Sequence, residues 1–441
     1  MTRRQFLALS AAIAAWTPAV AGQAPRIQPG RLRARLEMLS TFGRPDGGTF
    51  SDGVSRVAYS DADVAARAWL MDELRGAGLA PRIDPAGNIF ARVEGRDPAR
   101  PPIVFGSHID TVPNGGNFDG SLGTLAALEV LESLAAAKWT TRHPLELVVW
   151  AHEEGVAFTQ GLSGSRIVAG DVPDDVLERT WNGMTRAEAL RRIGGAPERL
   201  RDAVRAPGAH HCYLELHIEQ GGTLDTRKVP IGIVTGIVAI HRHEVRVTGM
   251  ANHAGTTPMD QRQDALIAAA RGVLAVRAVG AARQGPQVAT VGRLDVVPNA
   301  PNVIPGEVTF TVELRDLSED LLALMADEIR ERLDLIAQET GTTMAMRQVS
   351  RNPAAAAAPR VQEAIIAAAG DEGLAALRLP SGAGHDAQMM ARLGPMGMIF
   401  VPSVGGVSHA PAEFTSWDDC ARGAQVLLVA VLAADARDTM V

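Results

Sequence analysis

The chain contains 441 residues, more than one compact core usually takes, so two domains are expected. Hydrophobic residues make up 46% and charged residues 21% of the sequence, as in soluble globular enzymes. The formal net charge of −7 and the lack of basic clusters argue against nucleic acid or an anionic membrane as a partner. The two cysteines, Cys212 and Cys420, stand in no metal-binding motif, and packed thiols are expected.

The N-terminus has the pattern of an export signal. Arg3 and Arg4 precede an apolar run from Phe6 to Trp16, and Ala19-Val20-Ala21 fits a cleavage site. The run is too short to remain as a membrane anchor. The adjacent arginines resemble a twin-arginine signal, with an ordinary secretory signal as the alternative. We therefore expect residues 1–21 to be removed from a periplasmic or secreted protein.

Along the first half of the mature chain, hydrophobic periodicity alternates between helices and strands. Helices are predicted over residues 31–39, 61–75 and 122–138, and strands over 103–105 and 145–150. The order strand, helix, strand predicts an α/β domain with a mainly parallel central sheet.

The pattern changes after residue 222. Residues 229–248 are rich in β-branched side chains, and apolar and polar residues alternate over 308–315. Helices are predicted over 265–279 and 320–338, so helices would cover one face of a smaller α+β domain. The predicted organisation is a catalytic domain in two parts, 22–222 and 343–441, with an inserted domain over 223–342.

Polar motifs follow the predicted strands, where α/β proteins place their sites. His108 and Asp110 follow the strand that ends at Phe105, and Glu153 and Glu154 follow Trp150. Asp110 would accept the second ring N–H of His108. Of the two glutamates, one would bind metal while its neighbour acts as a general base. Taken alone, each motif is better explained without a metal, the first by a structural histidine and the second by a solvated acidic loop.

Three further motifs supply ligand types. Asp119 lies in a glycine-rich turn that matches no phosphate-binding loop, and turn capping is its alternative explanation. On a strand, Glu215 and His217 share one face. His409 lies in a loop rich in glycine and proline. Three imidazoles and two carboxylates, one of them bridging, suit a pair of divalent cations; the candidate ligands are His108, Asp119, Glu154, His217 and His409.

Together these motifs resemble the M20 metallopeptidase superfamily in its hydantoinase/carbamoylase amidase branch. This branch includes N-carbamoyl-L-amino acid hydrolases, allantoate amidohydrolases and β-ureidopropionases. The resemblance rests on the short spacing from His108 to Asp119, on His217 within LELHIEQG and on His253 within NHAGTTPM. It implies a metallopeptidase-type catalytic domain with an inserted lid and dimerisation domain, and therefore a homodimer.

The resemblance also implies a role for each matching residue. One cation would be held by His108 and His217 and the other by Glu154 and His409, with Asp119 bridging them. The cations would be zinc, with manganese or cobalt as alternatives. Glu153 would be the general base, and His253 would stabilise the oxyanion in the partner subunit's active site. A small substrate with a carboxylate would contact Gln220, His253, Asn302, Arg315 and Gly384.

Two of these roles have simpler alternatives. Arg315 would otherwise form an ion pair with Glu313-type neighbours on the sheet, and His253 would be a turn residue beside Gly255. The predicted function is hydrolysis of the linear C–N bond of an N-carbamoyl amino acid or related ureido compound, with release of ammonia and carbon dioxide. An M20-type aminoacylase or dipeptidase is the alternative, against which the short spacing between His108 and Asp119 argues. The remote alternative is a non-catalytic binding protein for amino-acid derivatives, which would lack a metal ligand or the general base.

Overall fold

The structure is a computed structural model that describes residues 24–158 and 160–441. The predicted export signal over residues 1–21 lies outside the described residues. The helices are α1 (Pro29–Leu39), α2 (Asp61–Gly76), α3 (Ser121–Ala136), α4 (Ser163–Val168), α5 (Arg186–Arg192), α6 (Thr223–Arg227), α7 (Ala265–Ala281), α8 (Glu319–Thr340), α9 (Pro359–Asp371), α10 (Asp386–Met390) and α11 (Trp417–Asp435). Within the described ranges, no helix has both the length and the apolar character needed to cross a bilayer.

Strands alternate with these helices along the chain. They are β1 (Arg82–Ile83), β2 (Ile89–Val93), β3 (Ile103–His108), β4 (Leu145–Trp150), β5 (Thr180–Trp181), β6 (Met184–Thr185), β7 (Cys212–Ile218), β8 (Ile231–Ile237), β9 (Ala239–Thr248), β10 (Asn252–His253), β11 (Val288–Thr290), β12 (Leu294–Val297), β13 (Val303–Ile304), β14 (Glu307–Asp316), β15 (Thr343–Asn352), β16 (Ala355–Ala356), β17 (Ala376–Ser381) and β18 (Met396–Val401).

The large sheet has the strand order β1-β2-β4-β3-β7-β18-β8-β16, and β17 also pairs with β8. The central strands β4, β3, β7 and β18 run parallel, whereas β2 and β8 pair antiparallel with β4 and β18 at the two sides. The sheet is therefore mixed, and the prediction of a mainly parallel sheet holds for its centre.

Helices cover both faces of this sheet. On one face, side chains of α1, α3, α9 and α11 pack against the strands, and on the other face α4 and α10 contribute to a second cluster. All residues of β3, β4, β7 and β18 are buried, which explains why these strands are almost continuously apolar. Polar residues at the ends of these strands consequently stand out as candidates for a site.

A second, antiparallel sheet has the order β11-β14-β9-β15, with β12 also pairing with β14. Helices α7 and α8 cover one face, where Val245, Phe310 and Leu322 pack together. Burial alternates along β14, as predicted for a half-exposed strand. Helix α8 ends before Gly341, which has a positive φ of 66°.

The limits of this smaller unit differ from the predicted residues 223 and 342. Strand β8 is buried and pairs with β18 and β17 in the large sheet, whereas β15 pairs with β9 in the small sheet. The small sheet and its helices therefore run over residues 239–352, which we call the small domain. Apolar periodicity identifies a strand, but it does not identify the sheet in which that strand finds its partners.

Candidate active site

The predicted metal ligands meet at one edge of the large sheet. His108 is the last residue of β3, His217 is the penultimate residue of β7, and Glu154 follows β4. His409 lies in the loop after β18. These four strands are parallel, so their carboxyl ends meet at the same edge, and residues distant in sequence become neighbours.

Asp119 is the centre of this cluster. Its Oδ1 lies 3.5 Å from Nε2 of His108 and 3.2 Å from Nε2 of His217. Its Oδ2 lies 3.3 Å from Nε2 of His409, which is also 3.4 Å from Oε2 of Glu154. The two carboxylate oxygens therefore face two different sets of donors, the arrangement of a carboxylate shared between two cations.

The turn that carries Asp119 requires glycine at the next position. Gly120 has a φ of 62°, and a Cβ there would collide with the imidazole of His108. The Gly120 N–H donates to Nε2 of His217 at 3.1 Å. Glycine thus allows the turn to approach both imidazoles closely.

Backbone carbonyls orient both buried imidazoles. Nδ1 of His108 lies 3.0 Å from the carbonyl oxygen of Asp110, and Nδ1 of His217 lies 2.9 Å from that of Ile218. Because a carbonyl oxygen only accepts, each Nδ1 carries the hydrogen, and in the neutral ring the lone pair is therefore on Nε2, the nitrogen nearer to Asp119. This is the tautomer that binds a metal through Nε2.

The predicted contact of Asp110 is corrected in one respect. Its carboxylate Oδ1 is 3.8 Å from Nδ1 of His108, too far for a hydrogen bond. The carboxylate instead accepts the backbone N–H groups of Glu153 at 3.1 Å and Glu154 at 3.2 Å. Asp110 therefore holds His108 through its main chain and the two glutamates through its side chain.

The cluster concentrates negative charge in a buried place. Burial, together with the negative charge of Asp119, raises the pKa of Glu154 to about 8. Burial also raises the pKa of Glu153 well above its usual range, against the opposing effect of His108. The hydrogen bond to Asp119 raises the pKa of His409 to about 9. Buried carboxylates are costly unless positive charge compensates them, so this donor set fits divalent cations.

Glu153 lies beside the cluster. Its Oε2 is 3.8 Å from Nε2 of His108, whereas Glu154 faces His409. Of the predicted substrate contacts, Gln220 joins this cluster directly, since its Nε2 donates to Oδ2 of Asp119 at 2.6 Å.

Two other predicted contacts lie where the domains meet. Gly384 is in the loop between β17 and α10, next to His385, whose ring packs on His217 with 4.5 Å between centroids. Arg315 donates to the carbonyl of Gly382 at 2.6 Å, and so reaches the same loop from β14. Its Nε also donates to Glu313 at 2.7 Å, so the ion pair considered as an alternative is present.

His253 and Asn302 do not reach this cluster within the described chain. Both are exposed in the small domain, where β10 pairs with β13. Nδ1 of His253 accepts the N–H of Gly255 at 3.0 Å, and the carbonyl of Asn302 accepts the N–H of Ala254 at 3.0 Å. Both residues therefore belong to one exposed turn.

Two buried glutamates were not assigned from the sequence. Glu413 accepts the N–H groups of Phe118 at 2.9 Å and Asp119 at 3.1 Å. Glu215 accepts the hydroxyl hydrogens of Ser107 at 2.7 Å and Tyr213 at 3.1 Å beneath the cluster. Two features of the sequence could have indicated them. Glu413 lies four residues after His409, and Glu215 shares a strand face with His217.

Known proteins resemble this chain in sequence and in fold. The model of the family described as Peptidase family M20/M25/M40 matches residues 104–433. The chain belongs to peptidase family M20/M25/M40. This M20 member is 40% identical over 402 residues to an N-carbamoyl-L-amino acid amidohydrolase of Geobacillus stearothermophilus, covering 91% of this chain and 97% of that protein.

Two further comparisons support the branch of the family. The M20 chain is 34% identical to an allantoate amidohydrolase of Bacillus subtilis, covering 86% of this chain and 92% of the relative. A crystal structure of a hydantoinase/carbamoylase family amidase from Burkholderia multivorans superposes with a TM-score of 0.86 at 37% identity, covering 94% of this chain and all of that one. The resemblance inferred from the motifs is thereby confirmed, as is the M20 α/β fold.

Proposed function

We propose that this protein is a metal-dependent amidohydrolase that cleaves the linear C–N bond of an N-carbamoyl amino acid, releasing ammonia and carbon dioxide. The observation that carries the proposal is the position of Asp119 between two sets of donors, with Glu153 beside them. The similarity to N-carbamoyl-L-amino acid amidohydrolases supports the substrate class. Allantoate, another ureido compound, is the second candidate because of the similarity to an allantoate amidohydrolase.

The residues fit two divalent cations per subunit, which we propose to be zinc, with manganese or cobalt as alternatives. His108 and His217 would hold one cation, and Glu154 and His409 would hold the other. Asp119 would bind both cations. Such cations supply positive charge that lowers the pKa of a water towards ~7 and polarises a carbonyl group.

Glu153 would move the protons of this reaction. As the general base it accepts a proton from the attacking water and then donates it to the leaving nitrogen. Burial raises the pKa of Glu153, which makes its carboxylate a stronger base. The Asp110 carboxylate accepts the backbone N–H of Glu153 and so helps to fix the main chain from which this side chain extends.

The substrate carboxylate would bind between the two domains. Arg315 carries the positive charge for this contact, and its bond to the Gly382 carbonyl places it beside the loop of Gly384. Gln220 would contact the substrate next to Asp119. Asn302 and His253 would act from the small domain, with His253 stabilising the oxyanion in a partner subunit.

A homodimer formed through the small domain is part of this proposal. His253 is exposed and contacts its own turn, so it is available to a second subunit. Helix α7 of the same domain presents Ile267 and Leu274 to solvent, at 57% and 65% exposure. Exposed apolar side chains close together on one surface are typical of a protein interface.

The test is ammonia release by metal-loaded protein from N-carbamoyl-L-amino acids, allantoate, 3-ureidopropionate and N-acetyl amino acids. We expect release from one ureido compound, and its loss on chelation and return with metal. Cleavage of N-acetyl amino acids alone would replace the proposal by an aminoacylase. Binding of these compounds without cleavage in the metal-loaded protein would favour the non-catalytic binding protein.

Export to the periplasm or beyond is a separate proposal, based on the twin arginines of the N-terminal sequence. A reporter fused to residues 1–30 would be exported, and replacement of Arg3 and Arg4 by lysine would stop its export. Continued export of the lysine variant would indicate an ordinary secretory signal.

A further inference from the structure

Glu413 connects the two segments that carry ligands of the proposed metal centre. Its side chain is only 3% exposed, and Oε1 accepts the consecutive N–H groups of Phe118 and Asp119. Its Oε2 accepts the hydroxyl hydrogen of Ser408 at 2.8 Å, one residue before His409. One carboxylate thus holds both the turn of Asp119 and the loop of His409.

The surroundings of Glu413 are shaped for this contact. A Cβ at Gly116 would collide with the carboxyl group of Glu413, although the backbone of Gly116 has no positive φ. Glycine at this position is therefore needed for space rather than for backbone conformation. The Ser408 hydroxyl also lies 3.1 Å from Oδ2 of Asp119, so the two segments meet at a second point.

We propose that Glu413 is a positioning residue that sets the distance between Asp119 and His409, and with it the affinity of the cation position that these two residues share with Glu154. The proposal rests on the proposed function, because it assigns a role towards that metal centre. His409 needs such support because its side chain is 49% exposed and lies in a loop, whereas His108 and His217 are fixed by strands. Groups that orient metal ligands typically contribute a factor of roughly 10–100 in metal affinity.

The first test compares Glu413→Ala and Glu413→Gln with the parent protein. Zinc bound per subunit is measured over a chelator-buffered series of free Zn²⁺ concentrations. We expect Glu413→Ala to bind one zinc ion roughly 10–100-fold more weakly. Glutamine keeps an acceptor oxygen for the two N–H groups, so Glu413→Gln should recover most of this affinity. An alanine variant with parental affinity, or a glutamine variant as weak as alanine, would overturn the proposal.

A second pair of variants separates positioning from general stability. Gly116→Ala leaves the carboxylate in the chain but takes its space, and it should weaken zinc binding as Glu413→Ala does. Glu146→Ala removes another buried carboxylate, one that pairs with Arg82 and Arg205 away from the site. It should lower stability while zinc binding stays parental, and equal zinc loss in this control would overturn the assignment.

The same titration distinguishes this inference from the proposed function. A parent protein that binds no zinc, manganese or cobalt would refute the metal centre itself. A parent that binds two ions, together with unchanged binding in Glu413→Ala and Gly116→Ala, would refute only the role of Glu413.

Discussion

Glu153 and Glu154 are adjacent in sequence but have different partners. Glu154 faces His409 at 3.4 Å and completes a set of metal donors, whereas Glu153 lies 3.8 Å from His108 outside that set. The backbone N–H groups of both are held by Asp110, so the difference comes from side-chain direction. The geometry therefore agrees with the proposed division, in which Glu153 would transfer protons while Glu154 would bind metal.

Replacement of Glu153 by alanine tests this division. The metal donors remain, so we expect the parental metal content, while the rate falls by roughly 100–10,000-fold through loss of the general base. Turnover and elemental analysis of the same sample would measure both. A Glu153→Ala protein with near-parental turnover would refute the assignment, and Glu154→Ala is the matched control that should lose metal.

His210 gives a prediction for the dependence of stability on pH. It is buried, and burial lowers its pKa from 6.5 to about 4. Between these pH values the unfolded chain binds a proton that the folded chain does not, so the free energy of unfolding falls as the pH decreases from 6.5 to 4. The full contribution of this shift is about 3 kcal/mol.

The measurement is urea denaturation of parent protein and His210→Gln at several pH values, with chelator in both samples. Glutamine does not titrate, so the variant should lose less stability on acidification than the parent. Parallel stability curves over this range would show that His210 is protonated equally in both states.

At the scale of single residues, the sequence indicated which candidate ligand side chains come together, but not all of their contacts. The five candidate metal ligands do converge around Asp119 in the structure. His108 contacts the backbone carbonyl of Asp110 rather than its carboxylate. The direction of the backbone decides this contact, and residue type alone does not predict that direction. Glu413 was missed for a similar reason, since its partners are main-chain N–H groups about 295 residues away.

Helix α11 shows how one side chain supports an element. Ser416 stands at its N-cap and accepts the N–H of Asp419 at 3.1 Å. The helix packs on α3, α9, β7 and β18, so its first turn supports the same core that carries the site. An unsatisfied backbone N–H at the N-terminus of α11 would destabilise the helix and with it the packing of the helix on this core.

We therefore expect Ser416→Ala to lower the free energy of unfolding by about 1 kcal/mol. Chemical denaturation would measure this change, and Ser350→Ala on the exposed face of β15 serves as the control. A loss no larger than that of the control would mean that water replaces the cap at no cost.

At the scale of elements, local periodicity predicted the positions of strands and helices better than it predicted which strands pair. The strand over 145–150 and the helix beginning at residue 265 have the predicted positions because their patterns are continuous. The predicted domain limits assigned β8 and β15 to the wrong domains, since strand pairing depends on distant chain segments. The antiparallel edges of the large sheet were missed for the same reason.

The whole molecule is expected to be a dimer through the small domain. Leu274→Glu places a charge on the exposed apolar face of α7, so it should shift the protein towards monomer. Sedimentation velocity at several concentrations would measure the shift. The control is Met38→Glu on α1, the helix that packs against the large sheet, because Met38 is also exposed, at 45%. Dimers unaffected by Leu274→Glu would place the interface elsewhere.

The chain leaves the large sheet and returns to it at neighbouring points. Ile237 at the end of β8 pairs with Ala355 of β16, and Ile240 of β9 pairs with Asn352 of β15. Antiparallel partners lie about 5 Å apart, so the two crossing segments form a narrow neck. We therefore expect that residues 239–352 could be removed or exchanged at the level of the gene, with the two ends rejoined by a short turn. Such grafting would change which side chains face the candidate metal ligands, while the strand order of the large sheet would stay intact.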